Sequence, residues 1–285
     1  MTARNPSESL SRTYVECPIV GRRDVARDTV ILTLGVDFDV DVTAGQFAMV
    51  HTGDDDEYVL PRPYSILEAA GGRMDLLVKI AGRGSRELAA CPEGTTARVF
   101  APLGRGFDLG AFRGRPSILV AGGVGVVPLY RLARELKRSG ESVRPLFGAR
   151  MPVDLPMELL GEQPAGPWDL WVEADPEEGH RQGLVTMGLE KALEEAPDAV
   201  VATCGPTPMM HAVARICRAR SSPLFVCLEE QMGCGAGVCR ACVIEDASEA
   251  RMHTVCKDGP VFSLDTIRFL PEDQEPTTTE GACVR

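Results

Sequence analysis

The sequence predicts a multidomain β plus α/β protein. An antiparallel β-barrel is expected over residues 1–112, a parallel-sheet nucleotide-binding domain over 113–220 and a small cysteine-rich domain over 221–270, with a flexible tail over 271–285. Three observations carry this. The first 112 residues hold short β-type runs separated by Gly, Asp and Pro, the pattern of a small barrel. From residue 113 apolar strands alternate with amphipathic helices, which implies a parallel sheet. Four thiols, Cys234, Cys239, Cys242 and Cys256, then follow with the spacing C-x4-C-x2-C-x13-C.

The chain has 285 residues, enough for two or three domains. Its formal net charge of −11 argues against nucleic acid or an anionic membrane surface as a partner. No apolar run approaches the ~20 residues that span a bilayer. The N-terminal MTARNPSESLSR has no apolar segment, so no signal peptide is expected. Ten cysteines in such a chain predict reduced thiols and metal ligation in the cytoplasm. Outside the four spaced thiols, most of Cys17, Cys91, Cys204, Cys217, Cys227 and Cys283 are expected to be small apolar fillers.

In the barrel region, strands are expected at 30–36, 46–51, 64–67, 74–80 and 97–101. The acidic run 53–57 reads as a solvated turn, because closely spaced carboxylates repel and seek water. Arg62-Pro63-Tyr64-Ser65 places a cation, a rigid ring, an aromatic face and a hydroxyl on one strand. Arg62 would pair with a phosphate; Tyr64 would cover a flavin face and Ser65 would hydrogen-bond its edge. Gly82-Arg83-Gly84-Ser85 follows a strand, with Ser85 as the expected N-cap and the Gly84 and Ser85 N–H groups facing a pyrophosphate. A glycine turn before a capped helix explains this run equally well. Pro102–Phe107 reads as glycine backbone close to a flat group or as a plain interdomain turn.

In the second domain, strands are expected at 117–121, 142–147, 170–173 and 199–203, and helices at 127–138, 184–195 and 208–220. Gly122-Gly123-Val124-Gly125 joins the first strand to the first helix, where a dinucleotide pyrophosphate would rest on the helix N-terminus. Cys204-Gly205-Pro206 ends a later strand at the same carboxyl edge, placing Cys204 either beside a nicotinamide or in the core. For the ribose, Arg150 would suit a 2′-phosphate, and Asp154 or Glu173 a 2′-hydroxyl. His51, His180, His211 and His253 form no metal or triad pattern.

A last apolar strand is expected at 223–228. Three thiols within nine residues can wrap one side of an inorganic cluster, and Cys256 closes it from a returning strand. This is the plant-type [2Fe–2S] spacing. Four-thiolate zinc and disulfides are the other readings, but zinc sites usually pair ligands as C-x2–4-C twice. Gly233, Gly235 and Gly237 fit a tight loop whose N–H groups turn toward the sulfurs. Residues 264–269 read as an edge strand or docking segment.

Taken together, and most specifically in Glu229-Glu230-Gln231-Met232-Gly233-Cys234 through Cys242, these motifs resemble the electron-transfer subunits of class 1B dihydroorotate dehydrogenases, within the ferredoxin-reductase-like family, over about residues 12–270. The resemblance implies FAD held by Arg62, Pro63, Tyr64 and Ser65, by Leu77, Val78 and Lys79, and by Gly84 and Ser85. Lys79 stands where that family carries Arg, keeping the charge without the fork. It also implies a [2Fe–2S] cluster on the four cysteines, and NAD at Gly122, Gly123 and Gly125 with Cys204 and Gly205 nearby. The implied activity is an electron relay in pyrimidine biosynthesis, needing no catalytic side chain. A separate FMN-containing catalytic subunit oxidises dihydroorotate, and the electrons pass through cluster and FAD to NAD+ in a heterotetramer with two copies of each subunit. The small subunit of an NADH-dependent ferredoxin:NADP oxidoreductase or of a sulfide dehydrogenase is similar, but typically has one Asp ligand where this chain has four Cys. A zinc-stapled nucleotide-sensing module is the reading from another class.

Overall fold

The computed structural model describes residues 13–37, 41–51, 60–161, 167–248 and 250–269. The expected tail, Cys283 and the acidic run 53–57 lie outside the described residues. The first unit is a closed antiparallel barrel. Its strands are β1 (Thr13–Ala26), β2 (Thr29–Gly35), β3 (Phe47–His51), β4 (Arg62–Ala70), β5 (Arg73–Lys79) and β6 (Thr96–Leu103), in the order β1-β2-β5-β4-β3-β6. Closure leaves no unpaired edge. Alternation sends Val30, Leu32 and Leu34 of β2 into the barrel core, while Ile31 faces outward against the second domain. Helix α1 (Arg83–Ala90) lies in the connection from β5 to β6 and packs Leu88 and Ala89 against the barrel core.

Strand β1 is the element that sequence reading did not resolve. Pro18 and Gly21 lie within this strand, and a register shift between Ile19 and Gly21 absorbs the irregularity. One strand can therefore pair with β6 through Pro18 and with β2 from Ile19 onward.

The second unit contains β7 (Ser117–Gly122), α2 (Val126–Arg138), β8 (Val143–Ala149), α3 (Met157–Gly161), β9 (Asp169–Val172), β10 (Arg181–Gln182), α4 (Val185–Glu195), β11 (Val200–Cys204), α5 (Thr207–Arg220) and β12 (Leu224–Cys227). Helices cover both faces of the sheet. Leu119 and Ala121 of β7 pack with Leu129, Leu132 and Leu136 of α2; Ile118 and Val120 pack with Leu189 of α4 and Val213 of α5. The seven strands run β10-β9-β8-β7-β11-β12-β15, all parallel except β15 (Val261–Ser263). Strand β12, which sequence reading grouped with the C-terminal unit, is the last parallel strand of this sheet and pairs with β11 on one side and β15 on the other. No helix among the described residues is long and apolar enough to cross a membrane.

The C-terminal unit adds the hairpin β13 (Val243–Glu245) and β14 (Met252–Thr254) and a one-turn helix α6 (Val255–Asp258). It interlocks with the barrel. A Cβ at Gly104 would lie 2.6 Å from Pro260 Cδ, and one at Gly45 would lie 2.6 Å from Val261. The run at 102–107 is therefore the seat of the C-terminal unit. Residues 264–269 form a 3-10 turn at Leu264–Thr266, not an edge strand, and Phe269 then packs edge-on against His211 of α5 with ring centroids 4.5 Å apart.

Asp246 holds the hairpin's loop end, directly after β13. It accepts hydrogen bonds from the Ser248 hydroxyl and N–H, pairs with His253 Nε2 at 2.8 Å and receives Arg251 at 3.2 Å. The two Ser248 bonds, then His253, hold its carboxyl well below the usual carboxylate range. A depressed folded pKa means the stabilisation is present above the unfolded value of about 4 and is lost as pH falls through the folded one. Asp246→Asn should accelerate hydrogen exchange at β13 and β14 at pH 7, and this difference from the wild type should shrink in strong acid. A gap that persists unchanged there would assign the effect to shape, not charge.

Candidate functional site

The sheet's carboxyl edge faces the barrel across a cleft of about 970 Å³. Its sheet side carries Gly122, Gly123, Val124, Arg150, Glu173, Gly205, Pro206 and Glu229. Its barrel side carries the β1–β2 turn, Leu77 and Lys79. Gly122 and Gly205 are glycines because the strand ends touch: a Cβ at Gly205 would lie 2.8 Å from the Gly122 carbonyl oxygen. Gly123, with φ +54°, has no atom within 4 Å of where its Cβ would be, so its backbone is open to the cleft. The helix that follows points its N-terminus there, a ready anion seat.

Two members of the expected nucleotide set do other work. A Cβ on Gly125 would overlap the Cys204 carbonyl, so this glycine lets α2 close against β11 and does not line the cleft. Cys204 is buried beside Cys227, and their thiol–thiol hydrogen bond, followed by burial, raises its pKa well above the ordinary range. It is a protonated core residue and does not line the cleft.

The expected flavin residues divide three ways. Leu77 and Lys79 face the cleft, and the Lys79 ammonium donates to the Arg27 carbonyl at 2.6 Å. Val78, between them, points into the barrel core, so only its backbone is available outside. Arg62 lies across α1: a Cβ on Gly84 would overlap its guanidinium. The N-cap of α1 is Gly82, not Ser85. Ser85 sits in the first turn and its hydroxyl accepts from the Ala81 and Gly82 N–H groups at 2.9 and 3.0 Å. A cation thus rests on a helix N-terminus whose first N–H groups have no acceptor within the helix. Pro63 and Tyr64 pair with Met49 and Ala48, and Ser65 with Phe47, on the same strand. Burial, opposed by Arg62, pushes the Tyr64 phenol up to about 12, so it stays neutral.

The four spaced thiols converge on the loop that leaves β12. Ala236, Val238 and Cys239 donate their N–H groups to Cys234 Sγ at 3.3, 3.3 and 3.4 Å. Gly237 donates to Cys256 Sγ at 3.1 Å, and Cys256 to Cys242 Sγ at 3.4 Å. Positive φ at Gly235 and Gly237 makes this turn possible. Gly235 also packs on the barrel, where a Cβ would lie 2.6 Å from Met49 Cγ. Burial opposes ionisation of Cys234, but the three backbone donors outweigh it and hold its thiol at about 6. Burial and then Cys242 push Cys256 up to about 12. The sulfurs therefore form two neighbouring pairs, Cys234 with Cys239 and Cys242 with Cys256. Among the described residues no three such ligands surround one ion. Two thiolate pairs and a ring of N–H donors fit a two-iron cluster, whose charge would relieve the crowding of the buried pair. Likewise the Arg62–Gly84 cradle fits a pyrophosphate.

Sequence reading missed Glu229 as a site residue. The signal was its position, the first carboxylate after the last parallel strand, at the edge where such sheets bind ligands. It lines the cleft and burial raises its pKa.

Barrel, parallel sheet and thiol loop together define an FAD- and iron–sulfur-binding oxidoreductase of ferredoxin-reductase-like fold. The family profile described as the oxidoreductase FAD-binding domain matches residues 16–107, and that of the iron–sulfur cluster binding domain of dihydroorotate dehydrogenase B matches 229–268. The dihydroorotate dehydrogenase B (NAD(+)) electron transfer subunit of Shouchella clausii (strain KSM-K16) is 35% identical over 256 residues, covering 86% of this chain and 95% of the relative. That of Bacillus caldolyticus is 36% identical over 222 residues, covering 76% and 84%. The chain belongs to this family of electron transfer subunits. Among solved structures, an NADH-dependent reduced ferredoxin-NADP oxidoreductase superposes with a TM-score of 0.77 at 25% identity, covering 89% of this chain and 90% of the other. A ferredoxin reductase of carbazole 1,9a-dioxygenase, at 21% identity and TM-score 0.66 over 75% and 68%, shares the fold.

Proposed function

We propose that this chain receives electrons from an FMN-containing dihydroorotate-oxidising subunit and delivers them to NAD+ for pyrimidine biosynthesis. The observation that carries the reading is the pairing of four thiols beneath converging N–H donors, on a loop seated against the flavin-type barrel. When bound, the cluster would carry single electrons and the flavin would combine two of them with a proton as a hydride, so the protein's task is placement. Cys234, Cys239, Cys242 and Cys256 hold the cluster, and the N–H donors around Cys234 stabilise negative charge on the sulfur. Arg62 and the first turn of α1 hold the FAD pyrophosphate; Pro63, Tyr64 and Ser65 of β4, and Leu77, Lys79 and the Val78 backbone of β5, line the remainder. Gly122, Gly123 and Gly205 seat the dinucleotide, with Gly125 acting through packing.

The partner would meet the exposed side of the thiol loop. Cys239 is exposed and Val238 is 79% exposed, an apolar knob beside the cluster, whereas Cys242 and Cys256 are buried. The assembly is a cytoplasmic heterotetramer with two copies of each subunit, and the domain limits are those of the barrel, the sheet and the thiol loop. Co-expression supplies the test: the complex should reduce NAD+ with dihydroorotate. A complex that reduces NAD+ only from ferredoxin or sulfide would sink the reading in favour of the related oxidoreductases.

Gly84→Ala separates binding from stability. The obstructing group is the end of a flexible Arg62 side chain, so the barrel should melt within ~1 kcal/mol of the wild type, while FAD affinity falls by about tenfold or more as the cation is displaced. Unchanged flavin retention would remove Arg62 from the site.

A further inference from the structure

The outer end of the cleft is built where β8 and β9 finish. Pairing continues one step beyond the strands: Glu173 N–H donates to the Ala149 carbonyl at 3.1 Å and Ala174 N–H to the Arg150 carbonyl at 3.0 Å. Backbone pairing thereby sets Arg150 and Glu173 on neighbouring strand ends, both exposed on the cleft wall. Neither side chain has a hydrogen bond or ion pair with another described residue. Asp154, the third charge at this end, is already engaged by Arg27 from the barrel at 2.8 Å. Asp28 lies across the cleft on the β1–β2 turn.

Two opposite selectors therefore share one wall. In dinucleotide-binding sheets an acidic residue about 20 residues beyond the glycine loop takes the ribose 2′-hydroxyl, and Arg nearby accommodates a 2′-phosphate. Here the end of the strand beside β7 offers Arg150, and the carboxylate comes from the next strand over. A carboxylate accepts hydrogen bonds from ribose hydroxyls and repels a phosphate of about two negative charges.

We propose that Glu173 makes this cleft select NAD+ over NADP+, accepting from the adenosine ribose hydroxyls and masking a 2′-phosphate site latent at Arg150. The inference rests on the reading that the dinucleotide lies in this cleft. Calorimetric titration of the holoprotein with NAD+, NADP+, 5′-AMP and 2′,5′-ADP tests it without turnover. Glu173→Gln should weaken NAD+ and 5′-AMP about tenfold, the scale of a charged hydrogen bond, and tighten NADP+ and 2′,5′-ADP by a similar factor. Adding Arg150→Ala should abolish the NADP+ gain and leave NAD+ where the single change put it. An unaltered NAD+ to NADP+ ratio in Glu173→Gln overturns the inference, as does a gain that survives removal of Arg150. Gly123→Val separates the two levels. If it weakens NAD+ while Glu173→Gln does nothing, only the selector assignment fails; if NAD+ binds it as tightly as the wild type, the cleft assignment fails too.

Discussion

Cys239→Ser should yield a protein that folds and keeps its flavin but loses its iron. Dihydroorotate-driven NAD+ reduction in the complex should then fall by more than about 100-fold, because even second-sphere changes at metal sites cost 10–100-fold. NADH-driven reduction of a dye that takes electrons from the flavin directly should stay within about twofold of the wild type. The position is chosen by burial. Cys239 is exposed, and its contribution to the N–H ring comes from the backbone, which Ser retains. Cys242 and Cys256 are each 1% exposed and pack in the core with Val255 and Phe262. Serine there would bury a hydroxyl at a cost of about 1–3 kcal/mol, so flavin loss in those variants would report packing. Iron assay and absorption spectra decide the matter: a full iron complement in Cys239→Ser removes it from the ligand set, and flavin lost in proportion to iron denies that the two sites are separable.

The largest stability effect is expected at Gly125. A Cβ there would overlap the Cys204 carbonyl and lie 2.6 Å from the Gly205 nitrogen, both backbone, at the last residue of β11 and the one after it. No rotamer change relieves such a clash; α2 must lift from the sheet. Overpacking usually costs 1–3 kcal/mol, and this case belongs at or above the top, about 3 kcal/mol. Because Gly205 faces Gly122 across the cleft floor, NAD+ affinity should fall as well. Gly123→Ala is the matched control. It meets no atom within 4 Å but carries φ +54°, so its cost is the left-handed strain of about 1–2 kcal/mol. Urea unfolding of the two variants should rank Gly125→Ala clearly lower; equal midpoints would show that the helix and strand can separate freely.

These two glycines stand two residues apart and read alike in sequence. Only the structure tells that one opens onto the cleft and the other closes a helix against a strand. Cys204 takes the buried one of its two expected places for a related reason: alternation along β11 turns its side chain inward to Cys227, and the adjacent Gly205 presents backbone instead. Strand β1 escaped because a bulge hides its register. Asp154 and Glu173 were equivalent candidates until Arg27, 127 residues away in sequence from Asp154, was seen to engage one of them.

What the amino-acid order settled alone was local in origin: short β-type runs broken by Gly, Asp and Pro for the barrel, strand–helix alternation for the sheet, and ligand spacing within nine residues for the thiol loop. Each depends on neighbours along the chain, so each is readable there. Tertiary structure decided the rest: the interlock of the thiol loop with Met49 of the barrel, the cradle of Arg62 on Gly84, and the placement of Arg150 and Glu173 together at the cleft's end. Those depend on contacts between residues far apart in sequence, which chain order does not encode until backbone closure brings them within reach.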